Sequence, residues 1–201
     1  MNVPATFAGA SRPLVHAVLA AFIALAAVPT TAAAADRPVK WSIYLGEDGS
    51  FAISLPEGYT ADPNYHYDQL GPGKQIAGTS FTIPKRIWQG SNLSGDTYLS
   101  VESLSGAGPC TAARFLDGGE PAKPLTDHGV AYSVATLGDG GAGNFYEQTV
   151  YALRKSSPCT AVRTVIHSTN IGNYDPGTVT EFNRDALVAQ FDKIRRSLKL
   201  K

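Results

Sequence analysis

The fold is decided by residues 130–168, where three strand-like runs follow one another with short links. They are Val130-Ala-Tyr-Ser-Val-Ala-Thr-Leu137, Asn144-Phe-Tyr-Glu-Gln-Thr-Val-Tyr-Ala-Leu153 and Thr160-Ala-Val-Arg-Thr-Val-Ile-His-Ser168. The runs are rich in β-branched and aromatic residues, and Gly-rich or Ser-Pro turns separate them. Because tight links join successive strands antiparallel, this stretch predicts an antiparallel meander.

Further strand-like runs precede the meander. Trp41-Ser-Ile-Tyr-Leu45 and Phe51-Ala-Ile-Ser-Leu55 flank the turn Gly46-Glu-Asp-Gly49 and predict a hairpin. Tyr98-Leu-Ser-Val-Glu-Ser-Leu104 alternates in the same way and predicts another strand. Residues 110–116 are expected to form a short helix that links this strand to the meander.

One amphipathic helix is predicted near the carboxyl end. Thr178 and Glu181 have the spacing of a capping box, which marks a helix start. The apolar residues that follow recur at helical spacing: Leu187, Val188, Phe191, Ile194 and Leu198. The fold class that follows is α+β, an antiparallel sheet of hairpins and a meander covered on one face by this helix.

The amino-terminal residues have the pattern of an export signal. Arg12 lies in a short basic region, residues 17–28 are apolar throughout, and Ala32–Ala35 supply the small residues that a signal peptidase accepts. The apolar run is shorter than the roughly 20 residues that a membrane span needs. Residues 1–35 are therefore predicted to be a secretory signal peptide, of a periplasmic or secreted bacterial protein.

The remaining residues, 36–201, are long enough for a single domain with its own core. The whole chain of 201 residues has 17 basic and 17 acidic side chains, and 43% of its residues are apolar. A balanced charge excludes the dense basic surface that nucleic-acid binding needs. The partner expected is a protein, a peptide or a glycan, and no membrane span remains after signal cleavage.

The two cysteines, Cys110 and Cys159, each follow a proline and precede a threonine. Export places them in an oxidising compartment, where disulfides persist. A redox pair usually has closely spaced cysteines, and these are far apart in the sequence. They are predicted to form one structural disulfide that closes a loop of about 50 residues, which the chain-entropy model values at roughly 4 kcal/mol.

The two ends of this domain resemble the Mog1/PsbP-like fold. Gly49-Ser-Phe-Ala-Ile-Ser-Leu-Pro-Glu-Gly-Tyr59 is similar to its leading strand, and Phe191-Asp-Lys-Ile-Arg-Arg-Ser-Leu198 to its last helix. The domain as a whole resembles a group of uncharacterised exported bacterial proteins, through Gly71-Pro-Gly-Lys74, Phe81-Thr-Ile-Pro84 and Cys110-Thr-Ala112. The first resemblance implies an accessory or binding role and supplies no site residue.

A glycine-rich motif, Gly138-Asp-Gly-Gly-Ala-Gly143, spells the pattern of a dinucleotide-binding loop. That loop cradles a pyrophosphate only where a helix follows it, whereas here a strand pattern follows at once. A hairpin that needs positive φ angles explains the glycines better. Asp139 and Asn144 supply too few carboxylates for a calcium loop, so no cofactor or metal is expected.

Candidate catalytic residues are scattered. His66, His128 and His167 lack the spacing of a zinc site and are interpreted as ordinary surface or half-buried histidines. Glu102 and Glu147 lie within predicted strands, where they form the remaining route to a hydrolase. An even register between the last two strands of the meander would place Glu147 diagonal to Arg163, as an ion pair.

The most unusual stretch is residues 56–95, where only Phe81-Thr-Ile83 has a regular pattern and which is otherwise expected to be a long loop. Its aromatic residues include Tyr65, Tyr67 and Trp88, side chains that stack on sugars or anchor peptides. These three are the predicted binding surface. The alternative is that they pack the loop onto the sheet.

The function predicted from the sequence is that of an exported, non-catalytic binding or accessory protein. The alternative is a small periplasmic hydrolase whose carboxylates or histidines meet only in the fold. A cleft that joins Glu102, Glu147 and a histidine would favour the enzyme, and an aromatic surface would favour binding.

Export and cleavage can be checked directly. Because the signal pattern ends at Ala35, the protein recovered from the periplasm should begin within a few residues of Asp36. Intact-mass spectrometry of that material measures the amino terminus. Mature protein that retains Met1 would contradict the prediction.

Overall fold

A computed structural model describes residues 39–201, so the predicted signal peptide and its cleavage site between Ala35 and Asp36 lie outside the described residues. Within this range, the first five strands are β1 Trp41–Leu45, β2 Phe51–Pro56, β3 Thr60–Tyr67, β4 Ile76–Thr82 and β5 Tyr98–Leu104. The later strands are β6 Lys123–Asp127, β7 Val130–Gly141, β8 Asn144–Leu153, β9 Cys159–Thr169 and β10 Lys199–Leu200. The α-helices are α1 Lys85–Trp88 and α2 Arg184–Arg196.

The strands form two sheets. The larger has seven strands in the order β3-β4-β5-β9-β8-β7-β6, with antiparallel pairing throughout. The predicted meander is confirmed, since β7, β8 and β9 are neighbours in chain order. The predicted first hairpin is also confirmed: β1 pairs with β2, and β10 joins the other side of β2.

The core lies on both faces of the large sheet. One apolar cluster joins β2 and the sheet to α2, through residues such as Ile53, Leu99 and Phe191. The second includes Phe115, Val150 and both cysteines, and it lies on the opposite face. The α+β fold class and the covering helix are therefore confirmed. None of the helices in residues 39–201 has the length and apolar character of a membrane span.

Helix α2 begins later than the sequence predicts. Its N-cap is Asn183, whose side chain accepts a hydrogen bond from the Ala186 amide at 2.9 Å. The prediction of a capping box at Thr178 and Glu181 is therefore wrong. The neighbouring Thr180 is extended, because its amide donates to Gly90 O at 3.0 Å, and this bridge holds the chain out of the helix.

The segment 56–95 is more regular than predicted, since it contains β3, β4 and α1. Strand β3 escaped detection because its sequence is polar and includes Pro63. The proline fits there because β3 is an edge strand and its register shifts between Asp62 and Tyr65. The expected helix at residues 110–116 is shorter than predicted, a single 3-10 turn at Ala112–Arg114.

The predicted disulfide is present. Cys110 and Cys159 are bonded, with Cα atoms 5.1 Å apart, and the bridge ties the loop after β5 to the start of β9. Both residues are buried in the second cluster.

Removing the bridge should destabilise the fold without changing it. The double variant Cys110→Ala with Cys159→Ala frees a long loop in the unfolded chain, so we expect its free energy of unfolding to fall by about 2–4 kcal/mol. Urea denaturation of the oxidised parent and the variant measures the difference. Equal stabilities would show that the bridge contributes nothing to folding.

Candidate functional site

A buried ion pair lies at the centre of the large sheet. Glu102 on β5 and Arg163 on β9 are both fully buried. Arg163 donates from Nε to Glu102 Oε1 at 2.7 Å and from Nη2 to Glu102 Oε2 at 2.9 Å. This two-pronged geometry is the strongest form of an Arg–carboxylate contact.

Three further groups complete the surroundings of the Arg163 guanidinium. Gln148 Oε1 accepts from Nη1 at 2.9 Å, and Phe115 O accepts from Nη2 at 2.7 Å. The ring of Tyr67 lies 3.3 Å from the guanidinium carbon, and its hydroxyl donates to Gln148. Burial acts to lower the pKa of Arg163, but the hydrogen bonds and charge of Glu102 raise it above its ordinary value.

The prediction that Glu147 forms an ion pair with Arg163 is wrong. In the observed register Val150 lies opposite Arg163, and Glu147 lies opposite Ile166. Side chains alternate along a strand, so Glu147 projects from the other face of the sheet. There it pairs with Arg184 of α2, whose Nε donates at 2.9 Å.

The same register separates the two candidate catalytic carboxylates. Glu102 lies opposite Ala161, which shares the face of Arg163, whereas Glu147 lies on the α2 face. A pair of carboxylates that act on one bond must meet in one cleft. The hydrolase site that would join Glu102 and Glu147 is therefore absent.

A polar cleft of about 460 Å³ opens on the face that carries Arg163. Its floor includes Tyr67 and Gln148, which also contact Arg163. Its walls come from several strands and the loops beside them: Gln69, Asp96, Tyr98, Leu137, Asp139, Tyr146, Val165 and His167. The cleft is thus a continuation of the buried network toward the surface.

His167 is held rigidly in this cleft. Its Nδ1 lies 2.8 Å from Asp96 Oδ1, and its Nε2 lies 3.0 Å from Asn144 Oδ1. The ring of Tyr146 stacks on the imidazole with centroids 4.3 Å apart. Because both ring nitrogens contact an oxygen atom, the imidazole is held in one orientation at the wall of the cleft.

The charge of the cleft is negative. Asp96 and Asp139 line it, and neither lysine nor arginine is among the described residues that do so. Partial burial acts to raise the pKa of Asp96, but hydrogen bonds from Ser94 and His167 leave it below its ordinary value. Asp96 therefore carries its charge at neutral pH.

A second, larger cleft of about 780 Å³ lies on the opposite face of the sheet, where Phe145, Glu147 and Arg184 line it. Its exposed apolar side chains are Phe145 at 48% and Ile171 at 40% of their full accessible surface. The ring of Tyr146 stacks on His167 and therefore lies on the Arg163 face. Tyr146, exposed at 36%, is thus an aromatic platform of the smaller cleft.

The three aromatic residues singled out in the sequence do not form one exposed patch. Tyr67 is buried at 3% exposure beneath Arg163. Tyr65 is half-buried in the second cluster, and its hydroxyl lies 2.9 Å from that of Tyr98. Trp88 is half-buried against the first cluster. The alternative, that these residues pack onto the sheet, is correct for Tyr67. The exposed aromatic residues within residues 39–201 are Phe145, Tyr146 and Tyr174.

The remaining candidate residues take structural positions. The glycine motif 138–143 forms the end of the β7–β8 hairpin, with Gly141 opposite Asn144. His128 contacts its neighbour Asp127, and His66 contacts the backbone of Asn64. No group of three His, Cys, Asp or Glu side chains within residues 39–201 is placed to hold a metal ion.

Comparisons with known proteins concern the fold. No protein-family model and no curated protein sequence matches the chain. The structure of CyanoP, the cyanobacterial PsbP from Synechocystis sp. PCC 6803, is similar with a TM-score of 0.43 and 14% identity, over 87% of this chain and 100% of that one. The Ran-binding protein Mog1p of Saccharomyces cerevisiae is similar with a TM-score of 0.46 and 10% identity, over 81% and 96% of the two chains. The chain thus has the weak resemblance to the Mog1/PsbP-like fold that its two ends indicate.

The buried pair generates a stability prediction. Glu102→Gln leaves the Arg163 charge buried without its counter-ion, so we expect the free energy of unfolding to fall by about 3–5 kcal/mol. The double variant that adds Arg163→Met removes both charges and should lose less. Glu147→Gln, on the partly exposed pair with Arg184, is the matched control and should cost at most about 1 kcal/mol.

Urea denaturation of these variants at neutral pH gives the comparison. The claim is that the unpaired Arg163 charge, and not lost packing, causes most of the loss of stability in Glu102→Gln. A double variant that is less stable than Glu102→Gln would contradict this claim. Equal losses for Glu102→Gln and Glu147→Gln would contradict the difference in burial.

Proposed function

We propose that this chain is an exported, non-catalytic binding protein and that its smaller cleft holds a saccharide. The observation that carries the proposal is the exposed Tyr146 ring, stacked on His167 at the wall of that cleft. A flat aromatic face with fixed orientation is the group on which a sugar ring packs. Because His167 stacks against one face of the Tyr146 ring, little side-chain freedom is lost on binding.

The polar groups beside Tyr146 favour the same ligand. Carboxylates at Asp96 and Asp139 accept hydrogen bonds from hydroxyl groups, and the amide of Gln69 both donates and accepts. A negatively charged ligand is disfavoured because the described residues of the smaller cleft include no lysine or arginine. A neutral polyhydroxylated chain fits this combination of stacking and hydrogen bonding.

Export agrees with the chemistry of the chain. The Cys110–Cys159 disulfide is of the kind that persists in oxidising compartments. Together with the predicted signal peptide it supports a periplasmic or secreted location. The saccharide would then be a soluble or cell-wall glycan met outside the cytoplasm.

Binding should depend on Tyr146. Isothermal titration of the mature protein with neutral oligosaccharides of increasing length, such as chitooligosaccharides and cello-oligosaccharides, measures Kd. We expect Tyr146→Ala to weaken binding about tenfold, or ~1.4 kcal/mol, because the stacking face is lost. Phe145→Ala should bind like the parent, since Phe145 lies on the opposite face of the sheet and does not line the smaller cleft.

The control variant is Leu125→Ala, which removes an apolar side chain, exposed at 39%, from β6 away from both clefts. It should bind like the parent. If the parent binds none of these glycans, or if Tyr146→Ala binds them unchanged, the saccharide site is refuted. Equal melting temperatures of the three variants establish that the losses arise in the site.

A further inference from the structure

A second polar site lies beside the disulfide, separate from the two clefts. A pocket of about 340 Å³ is lined by the loop after β5, by Arg114 and by the β8–β9 turn. It shares no lining residue with either cleft. The Cys110–Cys159 bridge ties two of these segments together, so the walls of the pocket are fixed by a covalent bond.

The guanidinium of Arg114 is incompletely bonded. Its Nη2 donates to Ser105 O at 3.2 Å, but its Nη1 is buried and has no hydrogen-bond partner among the described residues. A buried donor without a partner destabilises the fold, more so where the group is charged. No carboxylate of residues 39–201 forms an ion pair with Arg114. The positive charge of Arg114 therefore lies beside a pocket without a counter-ion.

The other lining groups are neutral donors. Serine hydroxyls come from Ser105, Ser156 and Ser157, and the pocket contains no Asp or Glu. Ser156 is already committed, because its Oγ donates to Leu153 O and accepts from the Thr160 amide, both at 2.8 Å. Ser105 and Ser157 are the hydroxyls that a ligand would meet.

Two glycines lie in the loop beside Arg114. Gly106 and Gly108 have φ angles of 106° and 112°, which side chains with a Cβ rarely adopt. A Cβ on Gly106 would lie 3.8 Å from Arg114 Nη2. Backbone groups of such a loop can therefore come close to a ligand held by the guanidinium.

We infer that this pocket binds a tetrahedral oxyanion, namely a phosphate or a phosphate monoester. A guanidinium without a counter-ion, flanked by hydroxyls and free of carboxylates, matches the charge and the acceptor oxygens of a phosphate. At ~30 Å³ for each water molecule, 340 Å³ corresponds to about ten waters, which leaves room for a substituent on the phosphate. The ligand class differs from that of the smaller cleft, where Asp96 and Asp139 are the charged lining groups and neither lysine nor arginine is among the described residues.

Titration at constant ionic strength tests this inference. Inorganic phosphate and glycerol phosphate are added to the mature protein, with chloride as the balancing anion, and binding is followed by isothermal titration and by the shift of the melting temperature. We expect both probes to bind more tightly than chloride. Tighter binding of glycerol phosphate would identify a phosphate ester as the ligand, and equal binding would identify free phosphate.

Variants assign the binding to Arg114. Arg114→Gln should weaken phosphate binding at least about tenfold, because the charged fork is lost, and Arg114→Lys should fall between it and the parent. The matched control is Arg154→Gln, which makes the same charge change on an exposed residue of the adjoining turn that does not line the pocket. It should bind within about twofold of the parent.

The inference is independent of the saccharide site, since Tyr146→Ala should bind phosphate like the parent. Phosphate that binds no better than chloride would overturn it. An equal loss of phosphate affinity in Arg114→Gln and Arg154→Gln would also overturn it, because it would indicate general electrostatic attraction. Should Arg114→Gln prove unstable, Ser157→Ala, at an exposed position of the same wall, provides the second test and should weaken binding without unfolding the chain.

Discussion

The buried guanidinium of Arg163 imposes the strongest constraint on the large sheet. A charge removed from water must be compensated by a counter-ion and by hydrogen bonds at nearly every donor, or the fold loses several kcal/mol. Glu102, Gln148 and Phe115 supply these partners from β5, β8 and the loop after β5. A slip of one residue would turn Arg163 into the apolar cluster beneath α2, so the charge fixes the register of the central strands.

The same constraint explains the polar cleft on the Arg163 face of the sheet. On the α2 face the central strands present aliphatic residues such as Leu99, Val101 and Val162, which the helix and β2 cover. On the Arg163 face, Tyr67 and Gln148 serve both the buried network and the floor of the smaller cleft. The smaller cleft is therefore rigid, because its floor is part of the hydrogen-bonded network that stabilises the sheet.

Local pattern predicted the elements whose partners are near in sequence. The meander from β7 to β9, the first hairpin and the helical stripe of α2 all follow from periodicity and turns. The partner of Arg163 could not be predicted from local pattern, because Glu102 is 61 residues away and no turn links its strand to β9. The pairing of His167 with Asp96 spans 71 residues and has no local signal at all. Strand β3 was missed for a different reason. Its sequence is polar and includes Pro63, which is typical of a loop, and a proline fits within a strand only at the edge of a sheet.

Charged groups of the central strands are held by their partners. Glu102 pairs with Arg163 and Glu147 with Arg184, and both nitrogens of His167 contact oxygen atoms. Side chains that are bonded in this way keep their positions, so the smaller cleft should change little in shape when it is filled. For the saccharide that we propose, a preorganised aromatic platform would lose less entropy on binding, so modest stacking and hydrogen bonding would be enough for recognition.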